Sequence, residues 1–377
     1  MKILHTADLH LGKKLFNVDR LEEQQAVMDE IIEIADREKV DIALIAGDVF
    51  DTALPSAAAE SLFYESMVKL GRLCTVVVIA GNHDDPVRLS AAKEMALYCN
   101  IVIAGEHDIT YSAKKITAGK GYIQMDINGE RAVINLLPYP SDSRLGDVID
   151  PNSTYIDRVK NRLYEGALGF REDTININLS HLFCVGGVKE GDEREIELGG
   201  ARIIPIDTFP KAHYTALGHI HKPQTISKTN NIYYSGSIMP YAFDESNQKS
   251  VIIADIDKNG IKDLKRVPIT KYKSLIRLAA DNVMHAMEML EKNSEKWVWL
   301  DLKLQESLTD SDSKALKAFP NLLRLQLILP ERKKINLKDR IQKSDRQIFI
   351  EYYQSQFGTQ PKEELINLFL EIMESNV

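Results

Sequence analysis

Cysteine is scarce in this chain. There are three, Cys74, Cys99 and Cys184, an odd number with no metal-type spacing, which argues against a disulfide framework or a zinc ribbon. Long apolar runs are also missing. Val76-Val77-Val78-Ile79-Ala80 is typical at five residues, against the ~20 that a membrane-crossing helix requires. Asp8 arrives before the apolar core of a secretion signal could form. Nor is there an excess of positive charge, with 47 Lys and Arg against 55 Asp and Glu, a net −8. Such a chain is not a simple basic-surface binder of nucleic acid, and any role of that kind needs local basic patches, metal ions or a partner. Internal repeats and low-complexity tracts are absent. What remains is a cytoplasmic globular protein whose 44% hydrophobic content can bury a core. Its 377 residues, at about 150 per domain, suggest two or three domains.

The first half alternates short apolar runs with amphipathic stretches. Lys2 to Ala7 reads as a strand, and about Leu21 to Arg37 as a helix with Val27, Ile31, Ile34 and Ala35 on one face. Asp41 to Ala46 is a second strand, Ser56 to Leu70 a helix opening after Pro55, and Thr75 to Ala80 a β-branched run stopped by Gly81. Strand, helix, strand, helix, strand implies right-handed crossovers and a parallel sheet. Further strands are expected within 101–140, at 175–183, 214–218 and 232–238, and from Ser250 to Ile256. Residues 258–277 carry seven basic side chains and one acidic, Asp263, either a track for a DNA backbone or a solvated face. A smaller α/β unit follows, with strands from Lys296 to Leu304 and Leu322 to Leu329. A second basic run, 331–346, leads to two helices. Ser344 with Gln347 is a capping-box signature, Gly358 a stop, and Pro361 suits a helix's first position.

Chemistry gathers where the strands stop. Asp8 and His10 follow the first strand, Asp48 and Asp51 the second, and Asn82, His83 and Asp84 the third. His181 ends a later strand, and His219 and His221 follow another. In open α/β sheets ligands collect outside the carboxyl ends of strands, so these segments can share one crevice. Asp8, His10, Asp48, Asn82, His181, His219 and His221 offer two carboxylates, a carboxamide and four imidazoles without thiolate. That set suits manganese, iron, cobalt or zinc better than magnesium or calcium. Seven candidates are too many for one ion and fit two, with one carboxylate bridging. Two ions ~3.5–4 Å apart serve phosphoester hydrolysis by activating a nucleophile and clamping the phosphate.

Taken together, Asp8-x-His10, Gly47-Asp48-x-x-Asp51, Gly81-Asn82-His83-Asp84, His181 and Gly218-His219-x-His221 resemble the signature of the calcineurin-like metallophosphoesterases. His5-Thr-Ala-Asp-Leu-His-Leu-Gly12, Ala46-Gly-Asp-Val-Phe-Asp-Thr52 and Ser235-Gly-Ser237 narrow the resemblance to bacterial nuclease subunits that work with an SbcC-like coiled-coil ATPase. The resemblance implies an α/β fold, α+β in detail: a two-sheet sandwich flanked by helices, a small α/β capping domain and C-terminal helices. The divisions are 1–265, 266–335 and 336–377. It also implies two divalent metal ions, manganese by preference. Asp8, His10, Asp48 and His221 would hold the first, and Asp48, Asn82, His181 and His219 the second. His83 would be the catalytic histidine outside the ligand set, oriented by Asp84 or Asp51. Archaeal and eukaryotic relatives have a histidine where Asp51 stands.

The activity so implied is a DNA nuclease of repair, replication and recombination. It would be a 3′→5′ exonuclease on double-stranded DNA ends and an endonuclease on single strands and hairpins. The assembly would be a homodimer within a heterotetramer, free of membrane and associated with the nucleoid. The alternative is a stand-alone phosphodiesterase or phosphatase on a small substrate. His5, His107, His213 and His285 read as structural residues, and Cys184 as a buried small hydrophobe. In the final helix Leu365, Ile366, Leu368, Phe369, Leu370, Ile372 and Met373 leave a polar stripe of only Asn367, Glu371 and Glu374. The expected role is docking on the ATPase partner, with packing into the chain's own core as the bland reading. The helices at 56–70 and 88–98 fall where family members self-associate.

Overall fold

A computed structural model describes residues 1–107, 112–113, 116–146, 152–189, 202–305, 307–329, 344–357 and 360–374. Most of the second basic run and Gly358 lie outside the described residues. The chain divides into two compact units, one of Met1–Leu302 with Asp310–Gln326 and the other of Lys303–Thr309 with Leu327–Val377.

The first unit is built on two large sheets. Strands β1 (Lys2–Thr6), β2 (Ile42–Ala46), β3 (Thr75–Ile79) and β4 (Ile101–Ala104) run parallel, and β13 (Ser250–Asp257) and β14 (Gly260–Pro268) extend them antiparallel on the β1 side. The second sheet has eight strands in the order β11 (Gln224–Ser227), β12 (Ile232–Tyr234), β10 (Tyr214–Gly218), β9 (Ile175–His181), β8 (Glu130–Leu137), β7 (Tyr122–Ile127), β6 (Ile116–Gly119) and β5 (Ser112–Ala113). Successive side chains of a strand point to opposite faces. On the first sheet, Ile3, Ile42, Leu44, Val77 and Ile79 therefore meet Ile134, Ile177, Tyr214 and Ala216 of the second. Leu4, Ala43, Ile45, Val76 and Val78 face helices α1 (Leu21–Glu38) and α2 (Ala57–Gly71) instead. Both faces are covered, which is why these strands read as unbroken apolar runs. Each buried Val or Ile contributes about 1.5–3 kcal/mol over exposure. Helix α5 (Tyr155–Gly166) covers the outer face of the second sheet through Val159 and Leu163.

Ser56 caps α2 by accepting from Ala59 N at 3.2 Å. Beyond β3 come two short helices, α3 (Pro86–Leu89) and α4 (Lys93–Leu97), where one helix was expected. A smaller three-stranded sheet, β15 (Leu275–Ala280), β16 (Trp297–Lys303) and β17 (Leu322–Ile328), follows in that order, with α6 (Val283–Lys292) and α7 (Asp310–Lys317). The basic stretch 258–277 is in large part the edge strand β14. Lys262 pairs with Asp257 at 3.2 Å, Lys265 with Glu38 at 2.7 Å and Arg277 with Asp301 at 2.7 Å. Those charges are locally neutralised, and lysines on an edge strand discourage pairing with other chains.

In the second unit, α8 (Asp345–Phe357) and α9 (Glu363–Glu374) pack on each other through Phe349 and Phe369, whose rings stack at 4.2 Å. Ser344 and Gln347 form the reciprocal cap, at 3.2 and 3.4 Å. Ile366 is buried, whereas Leu368 and Ile372 are each 51% exposed and Met373 47%. No helix among the described residues is long and apolar enough to cross a membrane.

Candidate metal centre

The crevice forms because the loops after β1 and β2 are laced together. Asp8 N donates to Gly47 O and His10 N to Asp48 O, both at 3.0 Å. The backbone is bent hard to do this. Asp8, His10, Asp48 and His219 all have positive φ, at 53°, 43°, 50° and 100°. L-residues rarely adopt this region, and such strain gathers at functional sites. Two glycines permit the close approach. A Cβ on Gly47, where φ is +87°, would lie 2.4 Å from His181 Nδ1, and one on Gly81 would lie 2.1 Å from Asp48 Oδ1.

All seven expected ligands arrive in this crevice. His10 Nε2 lies 3.1 Å from His221 Nε2 and 3.6 Å from Asp48 Oδ2. On the other side of Asp48, His181 Nε2 lies 3.5 Å from the same Oδ2 and 2.9 Å from Asn82 Oδ1, which is 2.9 Å from His219 Nδ1. Asp48 stands between the two sets. Asp8 with His10 and His221, and Asp8 with Asp48 and His181, each bring ligand atoms within 4.8 Å of one another.

The electrostatics call for positive charge. Asp8, His10, Asp48, His181 and His221 are all buried. Burial and the repulsion of Asp48 push Asp8 up to about 6, against the pull of His181 and His221. Burial disfavours a charged His181, yet Asp48 and Asp8 outweigh it and raise this imidazole to about 9. Burial and the neighbouring His181 push His219 down to about 3. Asp8 Oδ2 has no hydrogen-bond partner among the described residues. A buried, unpaired carboxylate oxygen is costly, and carboxylate with imidazole is the donor chemistry of a borderline divalent cation. The residues fit the metals that the sequence suggests.

His83 sits half-buried beside this centre, its ring 4.7 Å from that of His10. Its Nδ1 meets the Asp51 backbone carbonyl at 2.6 Å. A carbonyl only accepts, so Nδ1 carries the hydrogen and Nε2 faces away from this bond. The partner is thus the main chain of Asp51, where a carboxylate of Asp84 or Asp51 was expected. Asp84 does other work, accepting from Val49 N, Phe50 N and Gly81 N at 3.1, 2.9 and 2.8 Å. It staples the second loop to the third, while burial and Asp48 push it up to about 6. The Asp51 carboxylate lies 3.6 Å from His10 Nδ1 and 3.5 Å from Lys13 Nζ.

Several supporting residues were not singled out from the sequence. Gln24 accepts from Gly12 N and donates to His10 O, both at 2.8 Å, and Tyr241 donates to Leu9 O. Arg144 donates to Gly81 O at 2.8 Å and Asp84 O at 2.6 Å. Glu245 accepts from His221 Nδ1 at 3.0 Å and pairs with Lys249 at 2.7 Å. Burial opposes the Glu245 charge, but His221 and Lys249 hold this carboxyl down to about 2. A helix-face Gln or a loop Glu has no local signature, since each finds its partner only across the fold. Two of the residues read as structural, His5 and Cys184, behave so. Buried His5 bridges Tyr214 Oη and Leu217 O at 3.0 and 3.1 Å, and burial raises the Cys184 thiol to about 12.

Residues 1–223 match the calcineurin-like phosphoesterase family, and the chain belongs to this class of metal-dependent hydrolases. Its relatives narrow the class. The chain is 35% identical to the SbcD subunit of the SbcCD nuclease of Bacillus subtilis (strain 168), over 99% of this chain and 97% of that one. It is 29% identical to the SbcD subunit of Escherichia coli (strain K12), over 88% and 85%. With SbcD of Staphylococcus epidermidis it shares 27%, over 94% and 92%. Within the phosphoesterases it is thus a member of the SbcD family, the nuclease subunits of SbcCD complexes.

Proposed function

We propose that the chain cuts DNA phosphodiesters as the nuclease subunit of an SbcC–SbcD-type complex. Its activities are 3′→5′ removal of nucleotides from double-stranded ends and opening of single strands and hairpins. The observation that carries this reading is the meeting of seven ligand-type side chains from five segments around buried Asp48, within a chain similar to SbcD nucleases along nearly its whole length. Asp8, His10, Asp48 and His221 would hold one divalent ion and Asp48, Asn82, His181 and His219 a second, both manganese by preference. When bound, such ions act as Lewis acids on the phosphate and lower the pKa of water.

The chain's own groups do the rest. Asp48 is shared between the sets, and its Oδ1 accepts from His83 N at 2.9 Å, tying the catalytic histidine to the centre. With Nδ1 held by the Asp51 carbonyl, His83 in its protonated form presents Nε2–H to the oxygen that leaves, or to the charge building on the phosphate. Asp84 keeps the His83 loop fixed on the Asp48 loop and Arg144 braces the His83 loop from the other side, as catalysis by preset hydrogen bonds requires.

Residues 266–335 are read as a cap and 336–377 as the segment that docks on the coiled-coil ATPase. The exposed Leu368 and Met373 of α9 support the second assignment. Self-association through α2 to α4 is consistent with Leu54, Val87, Met95 and Tyr98, each at least 69% exposed.

The test is an end-labelled DNA hairpin incubated with the protein and manganese, with and without the ATPase partner. Hairpin opening or stepwise nucleotide loss, abolished by chelation and by His83→Ala, is the expected result. Intact DNA beside hydrolysis of a small phosphodiester would overturn the nuclease reading in favour of a small-substrate phosphoesterase.

A further inference from the structure

The deepest ion pair beside the metal centre is not among the ligands. Glu245 and Lys249 lie in the segment between β12 and β13, and both side chains are fully buried. Each holds His221 at a different place. Glu245 Oε1 is 3.0 Å from His221 Nδ1. Lys249 Nζ donates to the His221 backbone carbonyl at 3.0 Å, to Ser237 Oγ at 2.8 Å and to Glu245 Oε2 at 2.7 Å. Ser237 N donates to the same His221 carbonyl at 3.1 Å. Three acceptors use all three hydrogens of the ammonium group.

We infer that Glu245, with Lys249 as its counter-charge, is a positioning residue for His221, fixing the tautomer and the aim of its Nε2 toward the first metal. The inference rests on the reading of His221 as a ligand. An ionised carboxylate can only accept, so His221 Nδ1 must hold the ring hydrogen and Nε2 is left with its lone pair. That Nε2 is 3.1 Å from His10 Nε2, so it points into the crevice. Carboxylate–histidine pairs of this kind orient a ligand and raise its basicity. Lys249 limits the second effect, because its charge sits on the other carboxylate oxygen and keeps Glu245 from drawing the proton off His221. Lys249 also holds the main chain of His221, so ring and backbone are located by one pair. Stability does not account for the arrangement, since a buried ion pair is commonly replaced by apolar residues without loss.

The second metal set has a different device, which makes the effect separable. His181 Nδ1 is held by the Ala46 backbone carbonyl at 2.8 Å, independently of Glu245.

The experiment is a calorimetric manganese titration of the full chain, with free manganese followed in parallel by electron paramagnetic resonance. Wild type is expected to bind two ions and His221→Ala to lose one. Glu245→Gln is expected to weaken one site about 10- to 100-fold and leave the other unchanged. The double variant Glu245→Gln with Lys249→Met removes both charges and tests the fold. It should melt like the wild type and still show the metal defect. If the double variant regains wild-type affinity, or if Glu245→Gln binds both ions normally, the positioning role is overturned while the ligand reading stands. If His221→Ala keeps both ions, the ligand reading itself fails.

Discussion

The metal crevice and the α8–α9 hairpin break the same rule in opposite directions. In the crevice, Asp8, His10, Asp48, His181 and His221 are buried. In the hairpin, Leu365, Leu368, Ile372 and Met373 are 38–51% exposed. Buried charge needs a counter-charge, and exposed apolar surface in quantity marks a place where another molecule binds. The crevice is overdetermined by hydrogen bonds between loops, whereas the hairpin is joined by the Phe349–Phe369 stack and an Arg346–Glu363 ion pair. The crevice therefore calls for a cation, and the hairpin presents the apolar surface on which a partner is proposed to dock.

If the crevice is a catalytic centre, the largest effect belongs to His83. His83→Ala should lower DNA cleavage about 10²–10⁴-fold, the usual range for losing a proton-transfer group. Manganese stoichiometry should stay at the wild-type value, as steady-state cleavage beside calorimetry would show. Next is Asp84, whose carboxylate satisfies three backbone N–H groups. Asp84→Ala strands these donors, and denaturant unfolding should register a loss of about 3 kcal/mol.

A pH effect separates buried charge in the crevice from a buried neutral group nearby. Burial, with Arg266 adding repulsion, holds His5 down to about 3 despite its hydrogen bond to Leu217. The unfolded chain takes up this proton below about 6.5 and the folded chain does not. The stability His5 contributes is therefore full above that pH and is lost progressively as pH falls toward 3. Between pH 7 and pH 5 the loss should be about 2 kcal/mol, and the difference between wild type and His5→Gln in urea unfolding isolates it. The smallest effect is expected in the hairpin. Leu368→Ser should change stability by no more than about 0.5 kcal/mol, yet weaken capture by the coiled-coil ATPase in a pull-down. A stability loss of several kcal/mol would mean that α9 is part of the chain's own core, and the contrast between the two regions would collapse.

Much of the fold was legible. Short apolar runs and their glycine stops located β1, β2 and β3 to within a residue or two, because a parallel strand buried on both faces has few alternatives in composition. The seven candidate ligands stood out for a related reason, since each sits at or shortly beyond a strand end, with Gly47, Gly81 and Gly218 directly before Asp48, Asn82 and His219. The role of Asp84 was not. From the sequence it is one more acidic residue beside His83, and only the return of the second loop against the third places three N–H groups around it. The basic run 258–277 was ambiguous for the same cause. Glu38 is far from Lys265 in sequence, and the folded chain puts them 2.7 Å apart.

The amino-acid order alone thus determined at which strand ends the candidate ligands stand, because those constraints are local: strand period, glycine turn, ligand type. Tertiary structure decided what each polar group is paired with. Glu245 with His221, His83 with the Asp51 carbonyl, and Gln24 with the His10 loop are settled only when distant segments close on one another. A buried hydrogen bond depends on position to within a few tenths of an ångström, and only the packed chain supplies that.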